Sequence, residues 1–307
     1  MTADPGSANG KPRELELWSN RWLIHPLSRR LAAALSHTPV TPNMVSAAGV
    51  FAAGAAAAGY VGLAWPLSVA VGFLAHCGWH VLDGADGELA RRTGRSSSTG
   101  ELVDGLCDYL GQAVLYIALA AFLARSIGPW AWPLALASGL ARAVQANSYE
   151  SRRRHYQHWA YGRAWIRQTL GGEAAASPGG LAALGRLYLA VSAKVARPNP
   201  ALEHQLAAWI RQGGEVEADA RALYRMGQRR AIAAAAPLSA NARTFVLALS
   251  MAAGSPLYYF LYETVGLTLV LAWSLRVQSA ADGAFAATLE GGSASERLAK
   301  APERRAK

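Results

Sequence analysis

The sequence predicts an all-α protein, a polytopic membrane bundle of six transmembrane helices with an N-terminal interfacial amphipathic helix, and three observations predict it. Hydrophobic residues make up 52% of the 307-residue chain and charged residues 16%, against roughly 25% charged in an ordinary soluble domain. The apolar residues gather in runs near the length that crosses a bilayer, about 20 residues for a core of about 30 Å. The formal charge of +10 sits largely at the ends of those runs, which fits an anionic membrane surface and argues against nucleic acid as a partner. A disulfide scaffold is excluded, because Cys77 and Cys107 are the only cysteines and both lie in apolar stretches.

Residues 1–13 are polar, without the apolar core of a signal peptide, and are expected to form a disordered tail. In 14–40, Leu17, Trp18, Leu23, Ile24, Leu27, Leu31 and Leu35 recur near helical spacing, with Arg21, Arg29 and Arg30 among them. That pattern predicts a helix lying on the bilayer. Residues 41–151 hold four spans. Thr41-Pro42-Asn43 opens the first, whose Gly49, Gly54 and Gly59 leave room for neighbouring helices. The second, 67–82, runs straight into charged residues at Asp83. The third, 101–124, begins with acids and then turns apolar, and the fourth covers 130–149.

Arg152-Arg153-Arg154 opens a polar stretch, 152–240, expected as a cytoplasmic helical insertion with helical patterns at 184–195 and 202–226. Spans five and six fall in 241–279. The fifth, 241–254, is short and could borrow length from Ala233 to Ala236, with Pro237 inside or beside it. Residues 280–307 form a basic tail expected to be disordered. Six spans put both termini, the turn after span two and the insertion on one side. That side holds Arg91, Arg92, Arg95, Arg152 to Arg154 and Arg276, whereas the opposite turns offer only Arg125 and Glu263. The arginine-rich side is therefore expected to be cytoplasmic.

Ionisable residues at a bilayer are costly, so a cluster of them marks a candidate site. Asp83, Asp86, Gly87, Ala90 and Arg91 fall at offsets 0, 3, 4, 7 and 8 and share one helical face. Gly100, Asp104 and Asp108 share another. Four converging carboxylates repel one another unless positive charge sits among them, and Arg91 alone cannot balance four. Hard divalent cations with oxygen ligands can, and a pair of them is a familiar means of holding a phosphoryl group. Gly87, Ala90 and Gly100 keep bulk off these faces, where a polyanion would approach. His76 and His80, at i and i+4, are expected to be packing residues. The acid spacing does not match an EF-hand. A divalent-cation carrier would also use intramembrane aspartates, though near the midplane of a conducting path.

The run from Asp83 to Asp108 reads D-x2-D-G-x2-A-R-x8-G-x3-D-x3-D. It resembles the signature of the CDP-alcohol phosphotransferase family at all eight specified positions across 26 residues. The resemblance covers 41–147 best. It implies an integral, multi-pass membrane transferase with its site on the cytoplasmic face, the inner membrane in a bacterium. Such an enzyme moves a phosphoalcohol group from a CDP-linked donor to an alcohol acceptor, releases CMP and serves phospholipid biosynthesis. The first expectation for the donor is CDP-diacylglycerol, with a small alcohol or polyol as acceptor. The alternative is a soluble donor such as CDP-inositol with a lipid or polyol phosphate acceptor.

The resemblance further implies two divalent cations, Mg2+ or Mn2+, on Asp83, Asp86, Asp104 and Asp108, with Asp108 also the general base. Asn43, Gly87, Ala90, Arg91 and Gly100 would line the cytidine diphosphate pocket. Arg142 in span four and Arg243 at the start of span five are expected to turn inward, where either could bind an acceptor phosphate. Membrane lipids are expected partners, and glycine-rich faces leave a homodimer open.

Overall fold

The computed structural model describes Leu15 and residues 19–163 and 200–290, and among these there are helices and no strand. The expected tail at 1–13, the pattern at 184–195 and the residues after 290 lie outside the described residues. In chain order the helices are α1 (His25–Leu35), α2 (Pro42–Gly62), α3 (Leu67–Arg92), α4 (Ser98–Ile127), α5 (Ala131–Tyr161), α6 (Pro200–Ile210), α7 (Gly214–Ala235), α8 (Ala240–Ala252), α9 (Leu257–Leu261) and α10 (Leu267–Glu290). A π-helical turn, Asn20–Ile24, leads into α1, and a second, Tyr262–Gly266, joins α9 to α10. The chain divides into two compact units, Met1–Ala141 with Ala240–Gly266, and Arg142–Ser239 with Leu267–Lys307.

In the first unit α2 and α4 begin at side-chain caps. The Thr41 hydroxyl accepts from the Met44 N–H at 3.3 Å with Pro42 in the first turn of α2, and the Ser97 hydroxyl accepts from the Gly100 N–H at 3.0 Å to start α4. Gly128, at φ +66°, ends α4, and a 3-10 turn through Pro129 leads into α5. Gly139 of α5 then lies beside the Tyr116 ring of α4. Backbones approach closely where the side chains are smallest. A Cβ at Gly59 would come within 2.8 Å of the Gly72 nitrogen, and one at Gly111 within 3.0 Å of both Ala53 and the Trp79 ring. Gly54 takes no part in this, since a Cβ there would meet open space. The core so formed contains Ala53, Tyr60, Trp79, Leu115, Leu119, Leu247 and Phe260.

Four stretches are long and apolar enough to cross a bilayer, namely Pro42–Gly62, Thr99–Tyr161, Gly214–Ala252 and Leu257–Ala287. This is the make-up of an integral membrane protein. The second stretch contains both α4 and α5. Helix α3 is not among the four; its C-terminal part carries Asp83, Asp86, Glu88, Arg91 and Arg92. Pro237 lies in a 3-10 turn, Ala236–Leu238, that separates α7 from α8. Helix α8 has 13 residues, about 20 Å at roughly 1.5 Å per residue, short of a hydrocarbon core.

Glu263 corrects the sequence expectation. It does not sit on an outer turn but is 0% exposed, carried inward on the π turn. Arg243, 1% exposed, donates from Nη1 to one of its oxygens at 2.8 Å, and the Tyr259 hydroxyl donates to the same oxygen at 2.8 Å. The hydroxyls of Ser138 and Tyr116 donate to the other. Both carboxylate oxygens are thus satisfied, and the network ties α4, α5, α8 and α9 together, which is what makes a buried charge tolerable.

In the second unit the helix that carries the fourth apolar run is longer than that run. Helix α5 does not end at the arginine run but continues through it to Tyr161. Glu150 accepts from Arg153 at 2.8 Å and from Arg154 at 2.7 Å, pairs at i+3 and i+4 that suit a continuous helix. Its last carbonyls are capped by Arg221, bonded to the carbonyls of His158 and Trp159, and by Arg225, bonded to that of Ala160. Gly162, at φ +67°, follows. His155 meets Glu203 at 2.6 Å, and Asp282 accepts from Gln228 and Gln278 at 2.8 Å each.

Glu263→Ala should lower stability by about 3–5 kcal/mol, because it leaves the Arg243 charge buried without its carboxylate. Thermal unfolding in detergent, followed by size-exclusion chromatography, checks this; a melting curve like that of the unaltered protein would contradict it.

Candidate active site

The close crossings of α2, α3 and α4 hold the end of α3 beside the start of α4. The two helices run antiparallel across the turn at 93–97, where Gly94 adopts φ +65°. Antiparallel register pairs residues at similar distances from that turn. Asp83 abuts Asp108, and Asp86 abuts Asp104. One carboxylate oxygen from each of Asp83, Asp104 and Asp108 lies within 4.8 Å of the others, with Asp83 and Asp108 exposed and Asp104 half-buried. Three hard oxygen donors this close fit Mg2+ or Mn2+ and would suit a soft thiophilic metal poorly.

Asp86 stands slightly apart. It is 4% exposed, one oxygen accepts from the Ser46 hydroxyl at 2.5 Å, and the other accepts from the Gly87 N–H at 2.5 Å. Ser46 lies on α2, 40 residues away, so motif reading on α3 and α4 had no means of finding it. Its hydroxyl fixes the direction of one acid while the other three converge.

The remaining residues of the motif fall around the acids in different ways. Arg91 is 61% exposed and bonded to Glu88 at 2.9 Å, and Arg92 bonds the other Glu88 oxygen at 3.0 Å. Partial burial alone would raise the Glu88 carboxyl, but the bonds and charges of Arg91 and Arg92 outweigh it and hold the group below the usual carboxylate range. Gly87 leaves open space, since a Cβ there would meet only the tip of Arg91 at 3.5 Å. Ala90 is half-buried. A Cβ at Gly100 would lie 3.8 Å from the Asn43 side-chain oxygen, which brings the starts of α2 and α4 together.

The two arginines expected to turn inward are both withdrawn from solvent. The Arg243 guanidinium is engaged with Glu263. Arg142 lies half-buried on α5 at the start of the second unit. His76 and His80 converge on a single hydroxyl: Thr244 Oγ1 is 2.7 Å from His80 Nε2 and 3.3 Å from His76 Nε2, and both rings stack with Trp79. They join α3 to α8, as expected of packing residues. Cys77 and Cys107 are free thiols.

Carboxylates close enough to share a divalent cation, in a chain with four membrane-length apolar stretches, fit a membrane protein that handles polyanions or metal ions. The comparison of sequences narrows it. A family model described as CDP-alcohol phosphatidyltransferase matches residues 39–201, more than half of the chain, and the chain belongs to that family. The match runs beyond 41–147, the residues that carry the motif resemblance, and into 152–201. No curated protein matches the chain. Family members are transferases of substituted phosphate groups that use a CDP-alcohol donor and an alcohol acceptor and generally depend on divalent metal.

Ser46→Ala should leave the fold intact and lower turnover about tenfold, the scale of a lost hydrogen bond to a charged group. Initial rates of CMP release beside a size-exclusion profile check this. A turnover like that of the unaltered protein would show that Asp86 needs no such partner.

Proposed function

We propose that the protein transfers a phosphatidyl group from CDP-diacylglycerol to a small alcohol or polyol at the acid cluster, as a step of phospholipid synthesis. The observation that carries the reading is the approach of Asp83, Asp104 and Asp108 to within 4.8 Å at the meeting of α3 and α4. The lipid-linked donor is favoured by the setting, because a diacylglycerol tail stays in the bilayer while its diphosphate reaches the helix ends. Six crossings, with the arginine-rich side cytoplasmic and α1 lying on that surface, complete the proposed topology. Trp65 and Trp130, exposed at the turns between α2 and α3 and between α4 and α5, suit the opposite interface.

Asp83, Asp104 and Asp108 would hold the cations, with Asp86 beside them. Divalent cations supply positive charge against a diphosphate, which makes CMP a better leaving group. The work of the chain's own residues is then as follows. Gly87, Ala90 and Gly100 keep the approach to the acids clear, and Asn43 borders it. Arg91, exposed and loosely paired with Glu88, turns to donate two bonds to phosphate oxygens. Asp108 takes the proton of the acceptor hydroxyl as its oxygen bonds to the β-phosphorus and the bond to the CMP oxygen breaks. A role in acceptor binding is kept for Arg142 alone.

The test is direct. Purified protein with CDP-diacylglycerol, Mg2+ or Mn2+ and a panel of alcohols should release CMP and form one new phospholipid, with no release in chelator. Asp108→Asn should cut the rate by at least about 100-fold, the scale of general base catalysis. Product only with a soluble CDP-alcohol would replace the donor assignment. Divalent-ion flux into vesicles without nucleotide turnover would instead identify a carrier.

A further inference from the structure

Gly84 lies between the two acids of α3, at a position the motif leaves unspecified. In this chain it forms the floor of a contact with the N-terminal helix. Ser28 of α1 is 2% exposed, and its hydroxyl donates to the Val81 carbonyl at 2.8 Å. A Cβ built at Gly84 would come within 2.6 Å of the Ser28 Oγ and 3.2 Å of its Cβ. The Oγ could rotate away only by giving up its bond to the Val81 carbonyl, and the Cβ, fixed by its own backbone, would still stand at 3.2 Å, so the helices must part by a few tenths of an ångström. A methyl group at Gly84 therefore costs either the Ser28 hydrogen bond or the closeness of the two helices. Around this point Ala32 of α1, Val45 of α2, and Ala85 and Leu89 of α3 close a small core, with Leu31, Leu35, Val40 and Leu82 against it.

Helix α3 is thus gripped along two directions at the same turn. Its Asp83 and Asp86 reach Asp108 and Asp104 of α4, while Gly84 and Ala85, between them in sequence, are pressed by α1. A small change in the depth of the α1 contact must move the acids, because a packed interior transmits displacement.

We propose that Ser28 is a positioning residue for the acid cluster: seated in the notch at Gly84, it lets α1 set where Asp83 and Asp86 stand relative to Asp104 and Asp108. The N-terminal helix is then part of the site's architecture rather than a passive anchor. This inference rests on the reading of the acids as a cation site. Intrinsic helix propensity pulls the other way, since alanine is favoured over glycine inside a helix. A loss of function on adding one methyl group would therefore report the contact and not the helix.

The experiment uses the full chain in detergent, with Mn2+ binding followed by electron paramagnetic resonance alongside CMP release. Gly84→Ala is expected to weaken Mn2+ binding roughly tenfold through overpacking. Adding Ser28→Gly to the same chain removes the atoms that the new methyl strikes and should recover most of the binding. Ser28→Ala alone, which removes the hydrogen bond and adds no bulk, should weaken it about threefold. Unaltered Mn2+ affinity in a folded Gly84→Ala, or a double variant no better than the single, overturns the proposal. Should Gly84→Ala fail to fold, Ser28→Ala decides, and an unaltered affinity there overturns it as well. Asp83→Asn separates the two ideas. If it binds Mn2+ as the unaltered protein does, the cation reading fails and the positioning role with it; if it loses binding while Gly84→Ala and Ser28→Ala do not, only the positioning role fails.

Discussion

Mutual repulsion among four aspartates is the constraint on which this protein turns. Left to themselves, Asp83, Asp86, Asp104 and Asp108 would push the ends of α3 and α4 apart, yet two cross-helix pairs stand in contact. Helix packing supplies the restoring force. Small residues at the α2, α3 and α4 crossings let the backbones close, with Trp79 wedged between Gly49 and Gly111. Ser46 then draws one acid toward α2, which leaves three to converge. The fold holds the acids together, and a bound cation would remove the repulsion the fold has to resist.

Two charged clusters in the same unit show opposite solutions. At the acids, carboxylate abuts carboxylate across two helices, and Asp83 and Asp108 are exposed. At Glu263 the charge is matched by Arg243 and every carboxylate oxygen has donors, in complete burial. The first arrangement fits the proposed cation site. The second has no need of a ligand and joins four helices.

The acids were legible in the sequence because they lie on two adjacent helices, where offsets of three and four residues state which side chains share a face. Helical existence followed from the apolar runs, and Thr41-Pro42-Asn43 opens α2 where the sequence places the first span. Contacts between helices distant in sequence were not legible. Ser46 reaches Asp86, and Ser28 reaches Gly84, only through the depth and angle at which helices cross, and one chain of letters does not encode those angles locally. Glu263 looked like a turn residue because a π turn shifts the helical register by one position, which no periodicity argument anticipates. The arginine run at 152–154 opens the polar stretch on the same helix, and Glu150 one turn earlier lets the helix carry it.

The central claim is that Asp83, Asp104 and Asp108 form a seat for divalent cations beneath a diphosphate. Anomalous scattering from crystals grown with Mn2+ and CDP tests it most directly. The account predicts anomalous density among those three carboxylates with the diphosphate against it. Manganese located elsewhere, or a nucleotide bound with the acid cluster empty, would contradict it.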